Sequence, residues 1–260
     1  MNSLKVYRNT YPSDDLGLRA GDSDLDYISL LKKVLETAND HDRALQAYFE
    51  SQGQIQALLG PGQVWVVTQY TIKSLSEMNL SESLIIESRL CRMNRFMVHR
   101  YFEIYQGLHL RMTILAQFVG LDYTSRQMVR MNPKAYIDSG FIDDGVDQRF
   151  THLSKEPGGD INKSESYPIK AENIDENNHV NNLVYLAWAE EITPIEVKDR
   201  AKIRTIDVKY GHELLNQDQV KIDYYESQTD IGWTSTYMMY SCDQDQLACQ
   251  IQILWEPRKG

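Results

Sequence analysis

The chain has 260 residues, 42% of them hydrophobic and 25% charged, enough apolar material for one large core or two small ones and too much for a disordered polymer. A formal charge of −10 and a pI near 5.1 argue against nucleic acid as the partner, because phosphate binding leaves a basic footprint. No stretch approaches the ~20 apolar residues that span a bilayer, and no basic start leads into an apolar run, so a cytoplasmic protein without a membrane span is expected.

Taken in order, a β-like start at 6–11 gives way to the turn-forming residues Pro12, Ser13, Asp14, Asp15 and Gly17. A long helix follows over about 26–50, with Ile28, Leu31, Val34, Leu35, Ala38, Leu45 and Tyr48 on one apolar stripe. From Val64 the period changes to that of strands, at 64–73, 84–90, 96–105 and 110–121, with a further short strand at 127–131. Breakers then cluster between 132 and 165, including Asn132-Pro133, Asp143-Asp144-Gly145 and Pro157-Gly158-Gly159.

The second half repeats the order of the first: a strand at 167–174, a helix over about 181–191, and strands at 203–210, 220–226, 233–241 and 247–255. The pattern predicts two α+β domains, 1–131 and 166–260, joined by a linker at 132–165, each a sheet around a helix. No residue-by-residue repeat accompanies this duplication of architecture.

One stretch concentrates reactive groups. Asp175, Asn177 and His179 alternate along an extended or looping segment just before the second helix, whose first amides lack intrahelical acceptors. That set suits polarising a carbonyl and activating water. His179 carries the side chain whose ordinary pKa of ~6.5 best matches proton transfer near neutral pH. Asn181 and Asn182 serve either as helix caps or as substrate contacts, and Tyr185 and Trp188 either as packing residues or as substrate contacts. Cys91, Cys242 and Cys249 are odd in number and lack CxxC or His spacing, so neither a disulfide framework nor a metal site is called for, and no cofactor either.

The pattern Asp175-x-Asn177-x-His179-Val180-Asn181-Asn182-x-x-Tyr185-x-x-Trp188 resembles the motif of the acyl-acyl carrier protein thioesterases, the fatty acyl thioesterases of bacteria and plant plastids. Val64-Trp65-Val66-Val67-Thr68 is similar to the first long strand of that family. Phe118-Val119-Gly120-Leu121-Asp122 with Arg126 is similar to the strand and turn that close its first half. The resemblance implies a double hotdog fold of class α+β and hydrolysis of fatty acyl thioesters carried by acyl carrier protein (ACP).

Where plant members show Tyr-Arg-Arg-Glu-Cys, this chain has Tyr210-Gly211-His212-Glu213-Leu214. The acid is kept and the thiol is not, so a Cys-His-Asn scheme cannot use that position. The expected catalytic set is therefore Asp175, Asn177, His179 and Glu213. In it the two acids hold and polarise the water, His179 moves its proton, Asn177 fixes thioester or water, and the amides of 180–182 face the oxyanion. Direct attack by Asp175 through an anhydride is the competing scheme.

The first half offers acids at Asp14 and Asp15 but no equivalent histidine. It is expected to shape the acyl pocket, with Met78, Leu84 and Met112 as liners. ACP is acidic, so local basic patches must receive it. Two clusters qualify, Arg89, Arg92, Arg95 and Arg100 with His99, and Lys198, Arg200, Lys202 and Arg204, each with the plain alternative of a solvated charge cluster. Edge strands leave a homodimer open. The rival functions are an acyl-coenzyme A thioesterase and a non-catalytic acyl-binding hotdog protein.

Overall fold

The computed structural model describes residues 4–13, 25–54, 58–79, 81–175, 178–215, 219–230, 232–243 and 245–258. The turn at Asp14 to Gly17 and the candidate Asn177 lie outside the described residues. The chain divides into two compact units, Met1–Val67 with Ser74–Arg149, and Thr68–Lys73 with Phe150–Gly260.

In the first unit, β1 (Tyr7–Tyr11), β3 (Leu84–Met93), β4 (Met97–Gln106) and β5 (His109–Asp122) pair antiparallel in that order, and β2 (Gln63–Ser74) begins here. The helix α1 (Tyr27–Ser51) starts where Asp26 accepts hydrogen bonds from the Ile28 and Ser29 amides at 2.9 and 3.1 Å, satisfying two donors that the first turn leaves open. Its buried face runs through Leu30, Leu31, Val34, Thr37, Ala38, His41, Leu45 and Phe49 and packs on β3 and β1. Ile28, Leu35 and Tyr48, expected on that stripe, flank it half-buried.

The segment 127–131 is not a strand. Only a single bridge, Leu121 to Met128, forms there, and the Met131 amide bonds the Arg95 carbonyl at 2.8 Å. The stretch 132–165 is the segment expected as a linker with room for a short helical turn. It carries the short helix α2 (Lys134–Asp138), and Tyr136 and Phe141 enter the first unit's core beside Leu45, Phe49, Leu90 and Val98. Phe49 meets Phe141 and Tyr48 edge-on.

The buried face of α1 carries a polar pocket of its own. The His41 Nε2–H donates to the Leu4 carbonyl at 2.9 Å, and Nδ1 faces the Ser88 hydroxyl at 3.2 Å and an Arg100 guanidinium nitrogen at 3.1 Å. Arg100 in turn pairs with Asp42.

The second unit orders its strands as β2 (through residues 68–73), β7 (Ala201–Tyr210), β10 (Leu247–Pro257), β9 (Gly232–Ser241), β8 (Gln219–Thr229) and β6 (Lys163–Pro168). All neighbours pair antiparallel, with Gln69 opposite Lys209 and Lys73 opposite Thr205 at the β2 side. The helix α3 (Asn182–Ile192) packs on β10, and α4 (Ile195–Arg200), absent from the sequence reading, follows Pro194. Six residues are too few to show a helical period.

β6 comes earlier than the expected 167–174. Pro168, without an amide hydrogen, ends the ladder, and Ala171–Asn173 forms a 3-10 turn instead. Lys163, Glu165 and Pro168 blunt this edge strand. No helix among the described residues is long and apolar enough to cross a membrane.

The burial of His41 has a stability consequence. Desolvation first, then the Arg100 charge, lowers its pKa from 6.5 to about 3. On acidification the unfolded chain takes up the proton before the folded one, so the stabilisation present at neutral pH is lost as pH falls from about 6.5 towards 3. Denaturant unfolding should show a loss of about 2–3 kcal/mol from this group between pH 7 and 4.5, and His41→Asn should flatten that part of the curve. An unchanged acid profile in the variant would remove His41 from the account.

Candidate active site

The site is built from a tight hairpin and the exit of β7. The Asp175 amide donates to the His179 carbonyl at 2.9 Å, the Asn178 amide to the Asp175 carbonyl at 3.0 Å, and the His179 amide to Asp175 Oδ1 at 3.4 Å. Asn178 takes φ of 61°, a left-handed conformation that Asn tolerates better than most residues. The hairpin closes with Ile174 bridged to Val180.

A second set of bonds attaches this hairpin to the chain beyond β7. The Val180 amide donates to the Leu214 carbonyl at 3.0 Å, and His179 bridges Leu215. The run is kept against β10 by Gly211 and His212, whose amides donate to the Ala248 and Leu247 carbonyls at 2.8 and 3.0 Å. Gly211 is required for that approach, since a Cβ there would lie 2.5 Å from the Leu247 carbonyl oxygen. Leu214, fully buried, anchors the run from below.

The result is a carboxylate beside an imidazole. His179 Nε2 lies 3.1 Å from Glu213 Oε2, with side-chain exposures of 18% and 39%. A neutral ring that donates its Nε2–H to Glu213 at that distance has Nδ1 as its unprotonated nitrogen. Nδ1 is buried and has no hydrogen-bond partner among the described residues.

The remaining candidates divide. Asn181 caps α3, its Oδ1 accepting from the Leu183 amide at 2.9 Å. The Asn182 carbonyl accepts from the Tyr210 hydroxyl at 2.8 Å. Tyr185 and Trp188 are buried, stacked edge-on at 5.5 Å, and Tyr185 packs on Tyr210 at 5.7 Å.

The expected row of free amides is mostly occupied. Val180 N–H is bound to Leu214, Asn181 N–H to the Asn173 carbonyl at 2.8 Å, and Leu183 N–H to the cap. Among the described residues, Asn182 N–H alone in this turn has no acceptor. Burial holds the Cys249 thiol well above its usual pKa, so it is not a nucleophile.

Sequence family models for the acyl-ACP thioesterase N-terminal and C-terminal domains match residues 13–138 and 159–257. The chain belongs to the acyl-ACP thioesterase family. It is a thioester hydrolase of double hotdog architecture, class α+β.

Among solved structures it resembles the 12:0-ACP thioesterase from Umbellularia californica, with a TM-score of 0.79, 15% identity and coverage of 98% of this chain and 95% of the other. A protein described as an oleoyl thioesterase from Lactobacillus plantarum gives 0.75 and 20% over 98% and 97%, and an acyl-ACP thioesterase from Bacteroides thetaiotaomicron gives 0.72 and 16% over 97% and 98%. No curated protein sequence matches.

In this thioesterase the basic candidates also divide. Arg89 is held by Glu87 at 2.6 Å, by Glu103, and by Asp143 at 3.7 Å, and Arg100, 3% exposed, by Asp42. Burial takes Arg100 out of any surface patch. Arg92 and Arg95 are exposed, with no ion pair among the described residues, and the bond from Met131 to Arg95 brings the exposed Arg130 beside them. Lys198 and Arg200 reach back to the carbonyls of Glu190 and Glu196 at 3.2 and 2.7 Å, while Lys202 and Arg204 lie on β7.

Gly211 and Tyr210 were missed as site-positioning residues. Their signal in the sequence is a glycine directly after a strand, in the stretch Tyr210-Gly211-His212-Glu213-Leu214. Gly211→Ala should push the run to Glu213 away from β10, at an overpacking cost of about 1–3 kcal/mol. Thermal unfolding and hydrolysis should both fall, and parental values of both would contradict the close approach.

Proposed function

We propose that the second unit hydrolyses fatty acyl-ACP thioesters with water activated by His179. The observation that carries the scheme is the 3.1 Å contact from His179 Nε2 to Glu213, which orients the ring and leaves Nδ1 as the base. Nδ1 takes a proton from water as its oxygen bonds to the carbonyl carbon. The tetrahedral intermediate then expels sulfur, the imidazolium returns the proton to the leaving thiol, and free fatty acid and carrier protein are released. Asp175 positions the water from the hairpin that also carries His179, and Asn177 completes the polar set.

The absence of a thiol beside Glu213 favours water over a cysteine nucleophile. Leu214 stands in that place, fully buried. The first unit selects the acyl chain, with Leu84 and Met112 in its core and Met78 half-buried. The reaction needs no cofactor, and the protein works in the cytoplasm, where the other edge strand, β1, offers the route to a homodimer.

For carrier docking, Arg92 and Arg95, with Arg130 beside them, are the better site. Arg204 stands six residues before the end of β7 at Tyr210, about 20 Å along the strand, so Lys198, Arg200, Lys202 and Arg204 gather at or before the start of β7, at the end opposite the one that leads to Glu213. Lys198 and Arg200 are also engaged locally.

His179→Ala should lower kcat about 10²–10⁴-fold, Glu213→Gln and Asp175→Ala less, all in a fatty acid release assay. Near-parental rates in all three variants would end the assignment. Arg92→Glu with Arg95→Glu should raise KM for an acyl-ACP far more than for a small acyl thioester, whereas equal effects on both substrates would argue against docking there.

A further inference from the structure

Tyr70 lies on the part of β2 that belongs to the second unit, in register with Val208 of β7, and it is fully buried. Its ring meets Tyr210 edge-on at 6.4 Å. Tyr210 packs on Tyr185 and donates its hydroxyl to the Asn182 carbonyl, so Tyr70 belongs to the aromatic cluster at the first turn of α3. The Tyr70 hydroxyl has no hydrogen-bond partner among the described residues. Burial raises its pKa, so it keeps its proton and is a donor at neutral pH.

A buried donor without an acceptor is destabilising, and phenylalanine would fill the same space without that cost. The cluster thus holds two unsatisfied donors, the Tyr70 hydroxyl and the Asn182 amide on the first residue of α3, three positions beyond His179. An unmodified fatty acyl group offers one oxygen acceptor, its thioester carbonyl. We propose that Tyr70 is a catalytic residue that donates a hydrogen bond to this carbonyl oxygen, with the Asn182 amide as second donor. The two hold the oxyanion while water adds and release it as the carbon–sulfur bond breaks.

This assignment rests on the hydrolytic reading of the His179 site. The test is Tyr70→Phe, followed by thermal unfolding and by hydrolysis of acyl-ACP substrates of graded chain length. The assignment predicts a fall in kcat of about 10²-fold at every chain length with KM little changed. It also predicts a Tm higher by about 2–4 °C, because the unsatisfied hydroxyl is gone.

Parental kcat would overturn the proposal, with a raised Tm marking an idle hydroxyl and a lowered Tm one bound to a structural water. A loss confined to certain chain lengths would overturn it too, since Tyr70 would then be a chain contact. Failure of the parental protein to hydrolyse any of these substrates would refute the hydrolase reading itself, a result distinct from an active parent matched by its Phe variant.

Discussion

The site depends on one backbone hydrogen bond, from the Val180 amide to the Leu214 carbonyl at 3.0 Å. It fastens the segment that carries His179 to a strand exit from elsewhere in the chain, and in doing so it sets His179 against Glu213. Each side of the bond is separately braced. On one side stand the Asp175 to His179 turn and the Asn181 cap; on the other stand Gly211 against the Leu247 carbonyl and Leu214 in the core. A carboxylate and an imidazole carried on two short irregular stretches gain the rigidity of a sheet and a helix.

The aromatic cluster supplies the rest of that rigidity. Tyr70, Tyr210, Tyr185 and Trp188 meet edge-on at 5.5–6.4 Å, an arrangement worth about 0.5–1.5 kcal/mol per pair beyond area burial. It fixes α3 over β7, and the hairpin inherits the position.

The two units show how surroundings decide what a histidine does. His41 is closed in by Leu4, Ser88 and Arg100 and driven to a pKa of about 3, so it is a structural neutral ring. His179 is held at one nitrogen by a carboxylate, and its other nitrogen is buried without a hydrogen-bond partner among the described residues.

Much of this was legible in the sequence. Period changes marked nine of the ten strands found among the described residues and the helices α1 and α3, and the spacing from Asp175 to Trp188 pointed to the chemistry and the family. What escaped had physical causes. The segment 127–131 has strand-like residues but only one bridging partner, and α4 is too short for a period. The strand β6 was displaced because the expected strand, 167–174, ran on through Pro168, which ends the ladder in space. Arg89 and Arg100 look like surface charge until their cross-strand and helix acids, Glu87, Glu103 and Asp42, are placed beside them. The resemblance had already grouped His179 with Glu213, whereas pairings such as Tyr70 with Tyr210 had to wait for the fold.

The central claim, that Glu213 fixes the His179 tautomer and so makes Nδ1 the base, can be read directly from long-range proton–nitrogen correlations in histidine-labelled protein, with His179→Ala assigning the ring. The account predicts the Nε2–H tautomer near neutral pH in the parental enzyme and loss of that preference in Glu213→Gln. A His179 ring protonated at Nδ1 and bare at Nε2 would contradict it.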